Sequence, residues 1–215
     1  MGWYEQAIRR YEHRRWTVDD NRRVLPFSWG LEHIGGPADP SEAGDPRAFL
    51  NRWVEQTLAH SDDWYAVSPA PDYRLSSDGL LTFSTSHPSP WPENNTVHAR
   101  FFRAKNSGPA VLILPHWNAK EHAYISLARW LNVLGISALR LSMPYHDRRA
   151  VPGHASADHL VGPNIGLTIA ANRQAVTDAR RAIHWLLHQG YDRLGILGTS
   201  IGSSVGFVTL AHEPL

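Results

Sequence analysis

Late in the chain the sequence reads Arg193-Leu194-Gly195-Ile196-Leu197-Gly198-Thr199-Ser200-Ile201-Gly202-Ser203-Ser204-Val205-Gly206-Phe207. Arg193–Leu197 is a short apolar run of the kind that forms a buried strand, and a helix is predicted over Ser203–Ala211 directly after it. Their junction is Gly-x-Ser-x-Gly with Ser200 at the centre. The pattern alone is weak, since chance places one in a chain of this length roughly one time in ten. The setting gives it weight. A serine nucleophile projects from a sharp strand-to-helix turn with strained backbone angles. Small residues must flank it so that strand and helix can approach, which Gly198 and Gly202 allow. The helix N-terminus would aim the Ile201 N–H at an oxyanion forming beside Ser200. Neighbouring readings fail on residue identity. A dinucleotide loop needs Gly-x-Gly-x-x-Gly, but the glycines stand at 195, 198 and 202; a phosphate loop needs Lys where Thr199 stands. The bland alternative is a Gly/Ser turn packed for helix–sheet contact.

Working outward, the preceding segments alternate between strands and helices. Leu80–Thr85 and Val97–Ala104 are predicted strands around a turn carrying Pro88, Pro90 and Pro92. Ala110–Pro115 follows Asn106-Ser107-Gly108 as an unbroken apolar run, suited to a strand buried on both faces of a parallel sheet. Helices are predicted over Glu121–Leu134 and Ile169–His188, closed by Gly135 and Gly190, with a strand over Ile136–Met143 between them. This order implies an α/β fold, a doubly wound and mostly parallel sheet with right-handed crossovers. Residues 1–75 read differently and form a helical or irregular N-terminal extension to a core over 76–215. In it, Asp45-Pro46 marks a helix start, followed by Phe49, Leu50, Trp53, Val54 and Leu58 at helical spacing. Trp3, Trp16, Trp29, Trp53 and Trp64 are read as packing residues anchoring this extension, with lining of a pocket as the alternative.

The chain has 215 residues, 42% hydrophobic and 19% charged, which fits a globular protein. With 21 basic and 20 acidic residues it carries a formal charge of +1, so no field favours nucleic acid. The absence of cysteine excludes disulfides, Cys-based metal centres and a thiol nucleophile. No window approaches a membrane span, and the first residues match neither a secretory signal nor a myristoylation site, so a cytoplasmic location is expected.

With Gly198–Gly202, the strand order and Leu114-Pro115-His116-Trp117-Asn118-Ala119 after a buried strand, the chain resembles the alpha/beta hydrolase superfamily over about Leu80–Leu215. The long helix and the following Gly-Tyr-Asp-Arg-Leu-Gly-Ile-Leu-Gly are similar to the dienelactone-hydrolase and prolyl-oligopeptidase-like branches. In the family the first loop usually reads His-Gly-x and donates the second oxyanion-hole N–H. Here His116 matches, Trp117 replaces the Gly, and Asn118 stands where the donor usually does. The resemblance implies hydrolysis of a small-molecule ester or similar acyl bond, with Ser200 as nucleophile, Ile201 and Asn118 or Trp117 as oxyanion donors, and no cofactor or metal.

The family's triad runs Ser, acid, His. His212 and Glu213 would sit about 18 Å from Ser200 at the far end of the last helix, out of reach. The catalytic acid and histidine are therefore expected beyond residue 215, and the chain is expected to be a fragment with little turnover alone. His116, Tyr145 and His146 are candidate pocket residues, Tyr145, His146 and Arg148 serving as walls or loop anchors; His146 as a substitute base is the minor alternative. His154-Ala155-Ser156-Ala157-Asp158-His159 resembles the metallo-β-lactamase signature but has Ser156 where the second His belongs, and is read as a surface loop. A non-catalytic binding module on a hydrolase scaffold is the rival function.

Overall fold

Among the residues described by the computed structural model, 2–18, 24–105, 108–154 and 156–213 (backbone only for 15–18), six strands make one sheet. The expected Asn106-Ser107 turn, Ala155, the Trp16 side chain and Pro214-Leu215 lie outside them. The strands are β1 (Arg74–Leu75), β2 (Leu80–Ser84), β3 (Thr96–Phe102), β4 (Ala110–Leu114), β5 (Ser137–Leu141) and β6 (Leu194–Gly198), in the spatial order β1-β2-β3-β5-β4-β6. The expected parallel sheet is its β5–β4–β6 half. The pairings β1–β2, β2–β3 and β3–β5 are antiparallel, so the whole sheet is mixed.

β4 explains why the centre is stable. Leu112 and Leu114 face one side of the sheet and Ile113 the other, as a period of two dictates, and all three are essentially inaccessible. Each such side chain contributes roughly 1.5–3 kcal/mol by leaving water. On the Leu112 side lie α5 (Ile165–His188) and α6 (Ile201–His212); on the Ile113 side lies α4 (Ile125–Val133), through Ala128 and Leu131. α4 starts later than the sequence suggests because Tyr124 takes a left-handed conformation at its N-terminus. β6 is the outer strand of the described sheet and is half-exposed along its length.

The N-terminal part departs from expectation. Trp3–Val18 is helical (α1), yet Trp3 and Tyr4 are exposed, so Trp3 anchors nothing on the core. α2 (Pro46–Ala59) starts as predicted, with the Asp45 carboxylate accepting from Arg47 N–H at 3.0 Å. None of its residues is fully buried; Trp53 packs edge-on to Trp64, at the end of the one-turn α3 (Ser61–Trp64). One attachment to the core is Ser28–Gly30; Arg173, Arg180 and Arg181 of α5 make others, donating to the carbonyls of Trp64, Tyr65 and Ser68. The Ser28–Gly30 segment forms a bridge to Asn164, and Ile165 and Gly166 N–H donate to the carbonyls of Ser28 and Trp29 at 3.1 and 3.0 Å. Gly166 is required here, because a Cβ would stand 1.8 Å from the Gly30 carbonyl oxygen.

Candidate active site

β6 ends at Gly198 and α6 begins at Ile201, so Ser200 occupies the turn between them. Its backbone sits at φ 54°, ψ −124°, a region in which a side chain costs about 1–3 kcal/mol unless the surroundings impose it. The surroundings do. A Cβ at Gly198 would stand 2.4 Å from the Gly202 carbonyl oxygen, and one at Gly202 would stand 2.1 Å from that of Leu114. Thr199 N–H donates to the same Leu114 oxygen at 3.1 Å, tying the turn to the end of β4. Ser200 is exposed, and its Oγ has no hydrogen-bond partner among the described residues.

The loop leaving β4 begins against this turn, a Cβ at Gly202 standing 2.7 Å from the Pro115 carbonyl oxygen, and continues through Trp117 and Asn118. Asn118 has φ 59°, and three contacts hold it there. Its N–H donates to His146 Nε2 at 2.8 Å, its side-chain oxygen accepts from Ala157 N–H at 2.8 Å, and Trp117 Nε1–H donates to the Ala157 carbonyl at 3.1 Å. His146 Nδ1 in turn lies 2.8 Å from the Pro144 carbonyl, so Nδ1 carries the proton and Nε2 is the acceptor. Burial holds this imidazole below its ordinary pKa against the opposing pull of the Pro144 carbonyl, favouring the neutral form that the bond to Asn118 requires. Both ring nitrogens are occupied, so His146 positions the loop and is not a free base. The expectation for Asn118 changes with it: its N–H is already spent on His146. The N–H groups of Trp117 and Ile201 have no acceptor among the described residues.

Other residues singled out in the sequence fall elsewhere. His116 is exposed, with Nδ1 2.6 Å from the Tyr124 hydroxyl. Tyr145 is buried at φ 63°, its phenol pushed up by burial. Arg148 is half-exposed and pairs with Glu121 at 3.4 Å. His212 bonds to Asp62 at 2.8 Å, while Glu213 holds Arg180 and His184 at 2.8 and 3.2 Å. The His154 and His159 rings touch, 4.9 Å between centroids, but no set of three His, Asp or Glu side chains able to hold a metal ion occurs among the described residues.

Beneath the site lies a polar network that the sequence does not announce. Arg149, a charged residue in a loop, is fully buried. It donates to the Asn94 carbonyl at 2.9 Å, to the Ser142 carbonyl at 3.0 Å and to Asp178 at 2.8 Å. Asp178 also accepts from Thr85 at 2.7 Å, and Asn94 donates to Gln174 at 2.7 Å while accepting from Tyr145 N–H at 2.9 Å. Burial pushes the Asp178 carboxyl up, and Arg149 and Thr85 pull it back. The network locks the loop carrying Tyr145 and His146 onto α5.

No known family model matches the chain, and no curated protein matches it by sequence. Solved structures do. A putative acetyl xylan esterase from Bacteroides fragilis superposes with a TM-score of 0.53 and 16% identity, covering 91% of this chain and 60% of its own. The fold is that of an alpha/beta hydrolase. Acetyl xylan esterase 1 from a Thermoanaerobacterium species gives 0.46 and 16% identity over 71% of this chain and 54% of its own. A thermostable carboxyl esterase from Bacillus coagulans gives 0.44 and 13% over 61% and 39%. The chain thus spans 39% to 60% of the length of these hydrolases. Ser200 occupies the turn leaving β6, the outer parallel strand of the described sheet. No helix among the described residues is long and apolar enough to cross a membrane.

Proposed function

We propose that this chain carries the nucleophile and the oxyanion hole of a serine hydrolase acting on an ester or similar acyl bond. The supporting observation is Ser200 itself: strained, exposed, and held between two glycines that cannot bear a side chain. Ser200 Oγ attacks the carbonyl carbon, and the displaced π electrons become an oxyanion. That oxyanion sits between the N–H groups of Ile201 and Trp117, each worth about 3–4 kcal/mol in comparable sites. Asn118 could donate only by giving up His146, so it serves as the hinge of the loop. A histidine takes the serine proton and delivers it to the leaving alcohol, and an acid orients that histidine. Both are placed beyond residue 215, following the chain order Ser, acid, His. Residues 1–215 alone then turn over little, because an unassisted serine is a weak nucleophile. Residues 1–75 act as an extension to the 76–215 core.

A fluorophosphonate probe on the full-length gene product tests this. Labelling should be strong in the native protein and lost in Ser200→Ala. Equal labelling of the two sinks the nucleophile assignment, and no labelling of a folded native protein favours a non-catalytic module on the hydrolase scaffold.

A further inference from the structure

Three adjoining hollows run from the oxyanion loop to the N-terminal half of α5. The first, about 370 Å³, is walled by Asn118, Tyr145, His146 and His154. The second, about 670 Å³, shares His154 with it and adds Pro26, Trp91 and His159. The third, about 360 Å³, shares His33, Pro90 and Leu167 with the second and Tyr145 with the first, and it reaches His87 and Arg173. One side of this trough is the segment that Ser28–Gly30 staples to α5. The N-terminal extension therefore builds a wall of the trough as well as covering the core.

The trough has two chemically distinct ends. In the middle, Trp91 stacks on His159 with centroids 4.3 Å apart and planes at 30°. Tyr145 meets both edge-on, at 5.7 and 5.1 Å. Such a wall offers faces and edges to a planar ring. His159 Nε2 is buried without a partner among the described residues, and burial, followed by His154, keeps that imidazole below its ordinary pKa. At the far end, Arg173 lies 3.7 Å above the Trp64 ring and gives its Nε–H to the Trp64 carbonyl at 2.7 Å. Its terminal nitrogens have no hydrogen-bond partner among the described residues. His87 Nε2 is likewise buried and unpartnered; burial, then Arg173 and Arg181, hold His87 down at about 4, so it stays neutral. The nearby acids are engaged: Glu32 lies 3.4 Å from His33, and Asp158 accepts from Ser156. A cation beside a neutral imidazole, both with bonds to spare, suits a carboxylate.

We propose that this trough binds a ligand with a planar aromatic ring and a free carboxylate, the ring against Trp91 and His159 and the carboxylate on Arg173 and His87. As a substrate it would be an ester, a role that rests on the Ser200 reading; the binding site itself does not.

Calorimetric titration of the full-length protein with 2-naphthoate, against its neutral amide 2-naphthamide, tests the site. Naphthoate should bind at least about tenfold more tightly than the amide, the expected worth of charge-assisted bonds. Arg173→Gln should erase that preference, and Trp91→Ala should weaken both ligands equally. Arg129→Gln, exposed on α4 across the sheet from the trough, should leave the preference in place. If Arg173→Gln does not fold by circular dichroism, His87→Phe is the second variant, and it too should narrow the preference. Equal affinity for the two ligands, no binding of either, or a preference that survives both variants overturns the proposal. Labelling at Ser200, measured on the same protein, reports separately on the hydrolase reading: binding without labelling leaves the site and removes its substrate role.

Discussion

Replacing Gly202 with Ala tests whether the Ser200 turn is built by close backbone approach. The new methyl would stand 2.1 Å from the Leu114 oxygen and 2.7 Å from that of Pro115, and both are backbone atoms that cannot swing aside. Two effects compete. Ala contributes up to about 1 kcal/mol over Gly within a helix. Against it stand overpacking of roughly 1–3 kcal/mol or more, and loss of the 3.1 Å bond from Thr199 to Leu114, worth about 1 kcal/mol. The clash wins, leaving a net destabilisation of about 1–3 kcal/mol. At roughly 2–4 °C per kcal/mol for a chain of this size, Tm should fall by about 2–12 °C. Gly206→Ala is the matched control on the same helix. Its methyl would meet only side-chain ends, Ile196 Cγ2 at 2.9 Å and Leu114 Cδ1 at 3.4 Å, so clash and helix gain should nearly cancel. Melting of the three proteins by circular dichroism decides. A Gly202→Ala protein that melts with the native one while Gly206→Ala falls would refute the reasoning. In the full-length protein, Gly202→Ala should also slow labelling at Ser200.

Arg149→Met should cost about 3–5 kcal/mol in urea unfolding, because it leaves the Asp178 carboxylate buried without its cation; a loss under about 1 kcal/mol would show the network to be dispensable. Stability should also fall as pH drops from about 6.5 toward 4. His87 titrates at about 4 when folded and near 6.5 when unfolded, so the unfolded chain binds more protons across that window and gains on the native state. His146 and His159 are depressed in the same direction, adding to the loss. His87→Gln should flatten the urea-midpoint profile between those pH values, and an unchanged profile would place the proton uptake elsewhere.

The sheet was largely legible because its strands carry their own signal. Ala110–Leu114 is apolar at every position, which suits a strand covered on both faces, and β4 is covered by α4 on one side and α5 on the other. α1 was not legible: its exposed Trp3, Tyr4 and Tyr11 form no buried stripe, so no period marks it. The burial of Arg149 was not legible because a loop sequence gives no sign that Asn94 and Asp178, 55 and 29 residues away, will meet it.

The turn at Ser200 was legible from local sequence alone. Two small residues flank a serine between an apolar strand and a helix, and those are local requirements, met within five residues. Which backbone N–H groups of the loop after β4 are already bonded is visible only in the folded chain. The Asn118 N–H is bonded to His146, 28 residues further on, and the Trp117 N–H has no acceptor among the described residues. A bond between two loops depends on where β4 and β5 place their ends side by side, and that placement is set by sheet pairing across the whole core.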